Sequence, residues 1–457
     1  MLYLNKVPTP IQLRYLQCPA DEILFGGALG GGKSFASILD AYISGQKLKG
    51  LVIGLFRRTL NELTNTLIRE ALETYPNGSY RFREVKRRMT LLNGSELRFN
   101  FIDTDKDLMQ YQGQEFDMII MDEACNFTEY QLVRIKERLR SSKKGVRTKI
   151  RYLTNPIGVG KGYLKRRFID GKEPFKIYIS EETKGLPKEQ QRTLCYIPAR
   201  LTDNIHLYKN DPSYLNSLKE LPSDIYEAMV NGSWDSKVGT FFPQFDYQKH
   251  TILAYNPSNK DQIFLSMDWG TNKPFAVYWA AMTPSNHIII YREYYGSSGK
   301  SDEGINMTAK QVANEVKERS KYDYESGLQY KYMVLDSACW NRVGYGKTIY
   351  EIMQENLSFP IIRSHKDRVN GWENMKSWLE YDGNDHIFNH YYRKPWMQIT
   401  RSCTYLIKQA QDAIYSDTRQ GDMNDKMENH GVESIQYLLS SRPCPQIQDL
   451  PSEEADW

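Results

Sequence analysis

The stretch Glu22–Tyr42, EILFGGALGGGKSFASILDAY, restricts the fold more than any other part of the chain. Ile23-Leu24-Phe25 is a short apolar run of strand type, and Phe35, Ile38, Leu39 and Tyr42 recur at helical spacing. Between them, Gly27 followed by four residues and then Gly32-Lys33-Ser34 has the phosphate-loop spacing. Glycines there let backbone N–H groups turn inward around phosphates, and the helix N-terminus adds partial positive charge. The spacing predicts a cradle lined by Gly27, Gly30, Gly31 and Gly32. It also predicts that Lys33 reaches the β- and γ-phosphates of a nucleotide such as ATP and that the Ser34 hydroxyl ligates Mg²⁺.

A phosphate loop serves kinases and motors alike, and a second acidic strand separates them. Phe116–Ala124, FDMIIMDEA, is a buried run ending in Asp122-Glu123. Asp122 is expected to hold Mg²⁺ through its water shell, and Glu123 to orient and polarise the attacking water. An adjacent acidic pair points to nucleotide hydrolysis rather than phosphoryl transfer to a substrate. Thr154 and Asn155, after the run Ile150–Leu153, are placed to sense the γ-phosphate. Gln12, just upstream of the first strand, is placed to read an adenine edge, and Arg57-Arg58 closes another apolar run, Leu51–Phe56.

The chain has 457 residues, against roughly 150 per domain, so two domains and a linker are expected. With 40% hydrophobic and 25% charged residues it is globular in type. Its net charge of +4 and pI near 8.4 fall short of the pI of about 9 that marks a nucleic-acid domain by itself. Nucleic-acid binding must therefore rest on local runs. Arg81, Arg83, Lys86, Arg87 and Arg88 form one. Arg134, Lys136, Arg138, Arg140, Lys143, Lys144, Arg147, Lys149 and Arg151 form another, broken only by Glu137. Such clusters can track a phosphate backbone. Six scattered cysteines without a C-x-x-C pair speak against a disulfide scaffold or a zinc site. No stretch has the ~18 apolar residues of a membrane span, and Lys6 and Arg14 with intervening prolines leave no signal-peptide core. A soluble, intracellular chain with no membrane partner is expected.

From Ile157 to Asp246 the sequence turns polar, with short helical pieces such as Tyr214–Met229 and no buried strand like Met118–Met121. Gly232-Ser233-Trp234, Gly239 and Phe241-Phe242-Pro243 punctuate its end, which reads as a lid or linker. A new series follows: the buried strand Ile263–Gly270 with Asp268, meander strands over Phe275–Ala281 and His287–Tyr295, and the strand Lys331–Ala338 with Asp336. In Gly421–Leu439, His430 and Glu433 share a helix face, with Asp422 and Asp425 just before it. Two strand acids and a third carboxylate on a C-terminal helix follow the order of a ribonuclease-H-like fold. Such carboxylates repel one another unless divalent metals join them, and two metals can clamp a displacement at a phosphodiester. Oxygen-only ligands indicate Mg²⁺ or Mn²⁺. The expected organisation is α/β: a P-loop ATPase core of the RecA/ASCE type over 1–156, a lid or linker over 157–246, a ribonuclease-H-like nuclease over 247–440 and a mobile tail over 441–457.

In this order, FGGALGGGKS, FDMIIMDEA, YLTNP, LSMDWG, VLDS and NHGVES resemble the large terminase subunit of tailed double-stranded DNA bacteriophages over about residues 5–440. The resemblance implies an ATP-driven motor that moves phage DNA into a preformed capsid, and an endonuclease that cuts the concatemer. Implied partners are double-stranded DNA, a small terminase subunit and a portal ring, with the motor itself a homo-oligomeric ring. The implied location is host cytoplasm, docked transiently on the procapsid and absent from the mature virion. Carried over by position, Lys33 and Ser34 are phosphate-loop ligands, Asp122 is the Mg²⁺ acid, Glu123 the catalytic glutamate, and Thr154 and Asn155 the coupling motif. Asp268, Asp336 and Glu433 form the nuclease metal cluster, accompanied by His430. Where Glu433 stands the family usually has Asp, and Asp425 is the other candidate for third carboxylate. The arginine expected in the phosphate loop or shortly before the acidic strand is missing, which leaves Arg57, Arg58, Arg138 and Arg140 as candidate trans-acting fingers.

Overall fold

The computed structural model describes residues 7–204, 218, 220–300, 302–342, 346–365, 367–381, 395–416 and 418–444. It divides into two compact units, Met1–Gly239 and Thr240–Trp457.

The first unit is built on strands β1 (Glu22–Gly27), β2 (Val52–Arg57), β3 (Tyr80–Arg83), β4 (Arg88–Leu91), β5 (Glu96–Phe101), β6 (Met118–Asp122), β7 (Lys149–Thr154), β8 (Ile177–Ile179) and β9 (Thr193–Ala199). They form one nine-stranded sheet in the order β3-β4-β5-β2-β6-β7-β1-β9-β8. The run from β5 to β9 is parallel, and β3, β4 and β8 join its edges antiparallel. The central strands are mainly apolar because both faces of a parallel sheet are covered; β1 and β6 are buried at every position. The phosphate-loop strand and the acidic strand are separated by β7, so all three end at the same edge.

The reading of 157–246 as free of buried strands is corrected by β9, which lies beside β1 in register Ile23↔Cys195. TLCYIPA is short and contains Pro198, which lacks a backbone N–H donor. Its burial comes from its partner strand and not from its own pattern. Of the helical piece expected over Tyr214–Met229, Ser223–Met229 is helical, and residues 214–217 lie outside the described residues, as does most of the tail, 445–457.

The second unit contains β10 (Thr251–Ile252), β11 (Gln262–Asp268), β12 (Ala276–Met282), β13 (Ile288–Tyr295), β14 (Tyr330–Leu335), β15 (Ile361–Arg363) and β16 (Met397–Thr400) in one sheet ordered β10-β16-β13-β12-β11-β14-β15. β11, β12 and β13 are an antiparallel meander. β14 then runs parallel to β11, and β15 parallel to β14. This is the ribonuclease-H-like plan read from the sequence. The helix His430–Ser440 buries Val432, Ile435, Leu438 and Leu439 against one face, and the helix Ala309–Arg319 buries Val312, Ala313 and Val316 on the other.

Candidate functional site

In the first unit, β1 delivers the chain into a loop that needs glycine at particular positions. Gly27 has φ +137°, and a Cβ there would meet the Ala199 carbonyl at 2.6 Å. Gly32 has φ +69°, and a Cβ there would strike the Gln12 amide at 2.3 Å. Gly30 is also left-handed, at φ +67°, and its carbonyl accepts from the Asn204 amide. Gly31 packs against Ala199. The helix Lys33–Lys47 starts directly after Gly32, which aims its free N–H groups into the loop.

Lys33 Nζ donates to the Ala28 carbonyl at 2.6 Å and to Asn155 Oδ1 at 2.7 Å. Desolvation pulls its pKa down to about 8, against the attraction of Asp122 and Glu123. Ser34 Oγ donates to Asp122 Oδ2 at 3.1 Å. Thr154 Oγ1 accepts from the Cys125 N–H at 3.0 Å and donates to the Asn155 carbonyl, so it ties the segment after the acidic pair to the end of β7. Lys33, Ser34, Asp122, Asn155 and Thr154 are thus brought together. Gln12 lies against the loop, but its amide is engaged by backbone: Oε1 accepts from the Thr9 N–H at 2.8 Å and Nε2 donates to the Gly32 carbonyl at 2.8 Å.

The residue that sequence reasoning under-read is Arg57. It ends β2 on the strand next to the acidic one, and its side chain is 7% exposed. Its NH2 donates to Glu123 Oε1 at 2.6 Å and its NH1 to Thr66 Oγ1 at 2.8 Å. Nε lies 3.2 Å from Asp122 Oδ2 without a directed hydrogen bond, so that contact is ionic. Thr66 sits in a π-helical turn, Thr64–Ile68, a distortion that recurs at functional sites. Glu123 is left-handed at φ +52°, a conformation costly for a residue with a side chain. Its second oxygen accepts from Asn126 Nδ2 at 3.1 Å. Burial raises the pKa of both Asp122 and Glu123, and Arg57 opposes the rise in each. Arg58 is committed elsewhere, to the Ile102 carbonyl and Gln131. Arg138 pairs with Glu137, and Arg140 with Glu115.

Most of the second basic run is used inside the unit. Lys136 pairs with Glu22, Lys143 with Asp117, Arg147 with Asp21 and Arg151 with Asp40, all four acids being buried. Arg134 bonds Glu137.

In the second unit Asp268 ends β11, Asp336 follows β14, and Glu433 lies in the first turn of the C-terminal helix. His430 Nδ1 meets Asp268 Oδ2 at 2.9 Å and its Nε2 meets Asp302 Oδ1 at 3.1 Å. Desolvation opposes protonation of His430, yet the two aspartates hold its pKa up at about 9. Tyr437 donates to Asp268 at 3.3 Å and to Glu433 at 3.4 Å. Glu433 Oε1 accepts from Asn429 Nδ2 at 2.9 Å and lies 2.8 Å from Arg368 NH2 in an ionic contact without a directed hydrogen bond. Burial, then the charge of Asp268, push Glu433 up to about 7, with Arg368 opposing. Asp336 is raised by burial and by Asp268, while its carboxylate accepts from the Ala338 N–H. Asp425 is not brought to this cluster: it is 61% exposed and bonds Arg419 at 3.0 Å. Asp422 is buried and accepts from Trp372 Nε1 at 2.9 Å.

The donor sets suit hard cations. Ser34 and Asp122 present oxygens, and the charge of Asp268 raises the proton affinity of both Asp336 and Glu433, as in a cation-seeking cluster. As the side chains stand, no three His, Cys, Asp or Glu residues among the described ones are grouped to hold a metal; His430 and Arg368 supply the positive charge instead.

Residues 20–233 match the family model described as phage terminase large subunit. No curated relative matches the chain. Among solved structures, the large terminase of a thermophilic bacteriophage is 16% identical, with 96% of this chain and 99% of that one covered and a TM-score of 0.41. The HK97 bacteriophage large terminase is 10% identical, with 95% of each chain covered and a TM-score of 0.45. The P22 large terminase nuclease domain is 10% identical, with 45% of this chain and 93% of that one covered and a TM-score of 0.34. The protein of the thermophilic phage has also been solved in complex with ADP and with ATP-gamma-S.

Proposed function

We propose, for a chain whose residues 20–233 belong to the phage terminase large subunit family, that it is an ATP-driven motor moving double-stranded DNA into a procapsid and cutting concatemeric DNA with its second unit. The observation that carries the motor reading is the convergence of Lys33, Ser34, Asp122, Glu123 and Asn155 on one sheet edge from separate segments of the chain. ATP would lie along the glycine loop, with the backbone N–H groups after Gly27 and the Lys33 ammonium on its phosphates. Mg²⁺ would be held by Ser34 and, through water, by Asp122, and supplies charge neutralisation at the phosphates. Glu123 accepts a hydrogen bond from the attacking water once Arg57 releases it. Asn155 touches Lys33 and is joined through Thr154 to the segment after Glu123, so loss of the γ-phosphate is felt along β7.

In the second unit, Asp268, Asp336 and Glu433 are the residues that would hold two Mg²⁺ or Mn²⁺ ions, which activate water and neutralise the phosphodiester. His430 fixes the orientation of Asp268, and Arg368 competes with cations for Glu433. The small terminase subunit, the portal ring and further copies of the chain are the proposed partners, on a procapsid in the host cytoplasm. Purified full-length protein should nick and linearise supercoiled plasmid with Mn²⁺ and show ATPase activity that duplex DNA stimulates. Absence of both activities would overturn the proposal.

A further inference from the structure

We infer that the hairpin β3–β4 is the surface by which the first unit grips the phosphate backbone of double-stranded DNA, an assignment that rests on the motor reading above. β3 is the outermost strand of the sheet. Along it Arg81 and Arg83 are exposed, while Tyr80 and Phe82 turn inward. Phe82 meets Phe99 edge-on and Tyr80 meets Tyr75, so the arginines stand on an anchored strand. Alternate residues on a strand are about 7 Å apart, so Arg81 and Arg83 present two separate cations on the same face to a phosphate backbone.

The turn continues the pattern. Lys86 is exposed, and Val85 at the tip is 94% exposed. Arg87 is left-handed at φ +47° and stacks its guanidinium over Phe101 at 5.6 Å. Its Nε is buried without an acceptor. Among the described residues, none of Arg81, Arg83, Lys86 and Arg87 has an ion-pair partner, and Glu84 is the sole acid between them. In the second basic run, by contrast, Lys136, Lys143, Arg147 and Arg151 are each held by a buried acid. Unpaired cations are free to neutralise phosphates and so release the counterions condensed on the DNA, which drives duplex binding.

Position adds to charge. Pairing Arg88↔Arg98 in β4–β5 sends the turn past the C-terminal end of β5. Phe101 at that end is level with Arg57 of β2. DNA on the hairpin would therefore sit at the sheet edge that carries the acidic pair, with β5 and β2 between.

The test is fluorescence anisotropy of a labelled duplex of about 30 base pairs with the full chain across a salt series. The variant R81Q/R83Q/K86Q should bind about tenfold or more weakly near 0.15 M salt, with its log–log salt slope reduced by about 2–3. The variant R81K/R83K should retain wild-type affinity, since phosphates read charge. An unchanged slope in the glutamine variant, while wild type binds, overturns the hairpin assignment alone. So does a glutamine variant that only self-associates, because edge cations also block strand pairing. If wild-type protein binds no duplex at all, the motor reading falls with it.

Discussion

Arg57 holds Glu123 at 2.6 Å and approaches Asp122 at 3.2 Å, so one guanidinium spans both members of the acidic pair. Its position is cis, on the strand beside them, and its interaction is with the enzyme's own carboxylates. A carboxylate bonded to Arg57 and Asn126 is not free to polarise water. On the proposed reading, this arrangement is a resting state in which Glu123 is held until nucleotide competes for Arg57.

Arg57→Ala should therefore have two separable effects. Two carboxylates lose their buried counter-charge, which costs about 3–5 kcal/mol of stability, read as a lower melting temperature without nucleotide. Burial already raises the pKa of Glu123, and Arg57 opposes that rise. Without Arg57 the carboxylate form appears at higher pH, so the rising limb of ATP turnover against pH should move upward. A lowered melting temperature with an unmoved limb would reduce Arg57 to a structural ion pair.

Glu123→Gln keeps the hydrogen bond to Arg57 but removes the base. Nucleotide affinity should stay within a few-fold, while turnover falls about a hundredfold or more. Lys33→Ala should abolish turnover because the γ-phosphate loses its ammonium. Wild-type hydrolysis by Glu123→Gln would show that the water is oriented by another group.

Charge changes in Arg134–Arg151 should act on folding before they act on DNA. Lys143 reaches Asp117 at 2.6 Å, and Asp117 also accepts from the Val52 N–H at 2.7 Å at the start of β2. Lys143→Ala should destabilise the first unit by about 1–3 kcal/mol through the buried carboxylate left behind. A denaturant melt checks this. Equal stability would free the run for the role of a DNA track.

Local spacing made much of this legible. Gly27–Ser34, Asp122-Glu123, Asp268, Asp336 and the pair His430 and Glu433 announce themselves because each motif is written within a few residues. The partners that set their chemistry are not local. Arg57 and Glu123 are 66 residues apart and His430 and Asp302 are 128 apart, and no periodicity links them. Asp302 sits in a turn outside the strands and helices, at φ +54°. The second basic run misleads for the same reason: its counter-charges Asp21, Asp40 and Asp117 lie in distant segments, so adjacent cations look free when they are paired. The family resemblance, by contrast, is borne out by the match over residues 20–233.

For the third carboxylate proposed at the nuclease site, anchoring favours Glu433 over Asp425. Glu433 stands on a helix whose apolar face is fixed in the core and shares Tyr437 with Asp268, whereas Asp425 points to Arg419 and solvent. Glu433→Ala should lose most metal-dependent plasmid cleavage, and Glu433→Asp should keep a measurable part. Asp425→Ala should cut within about two-fold of wild type, a change under about 0.5 kcal/mol in barrier. Loss of cutting in Asp425→Ala with near-normal Glu433→Ala would reverse the assignment. Asp268→Asn and Asp336→Asn should abolish cutting while ATPase activity persists.

The same cluster sets a pH dependence whose sign follows from the shifts. Glu433 is pushed from 4.5 to about 7, first by burial and then by Asp268. The fold thus favours the protonated acid. That contribution is complete below about 4.5 and is lost as pH rises through about 7. His430 is raised from 6.5 to about 9 by Asp268 and Asp302 against its burial, so its contribution is present below about 6.5 and is lost as pH passes about 9. Both run the same way: in EDTA, the melting temperature of the second unit should fall between about pH 5 and pH 9. Mn²⁺ should reverse the fall, and its stabilisation should be larger at about pH 8, where Glu433 is ionised, than at about pH 5.5, where a proton competes. Glu433→Gln should flatten the part of the curve between about pH 4.5 and 7 and remove most of the difference between the two Mn²⁺ measurements. Equal Mn²⁺ stabilisation at both pH values in wild type would mean that the cation binds elsewhere and that Glu433 is not among its ligands.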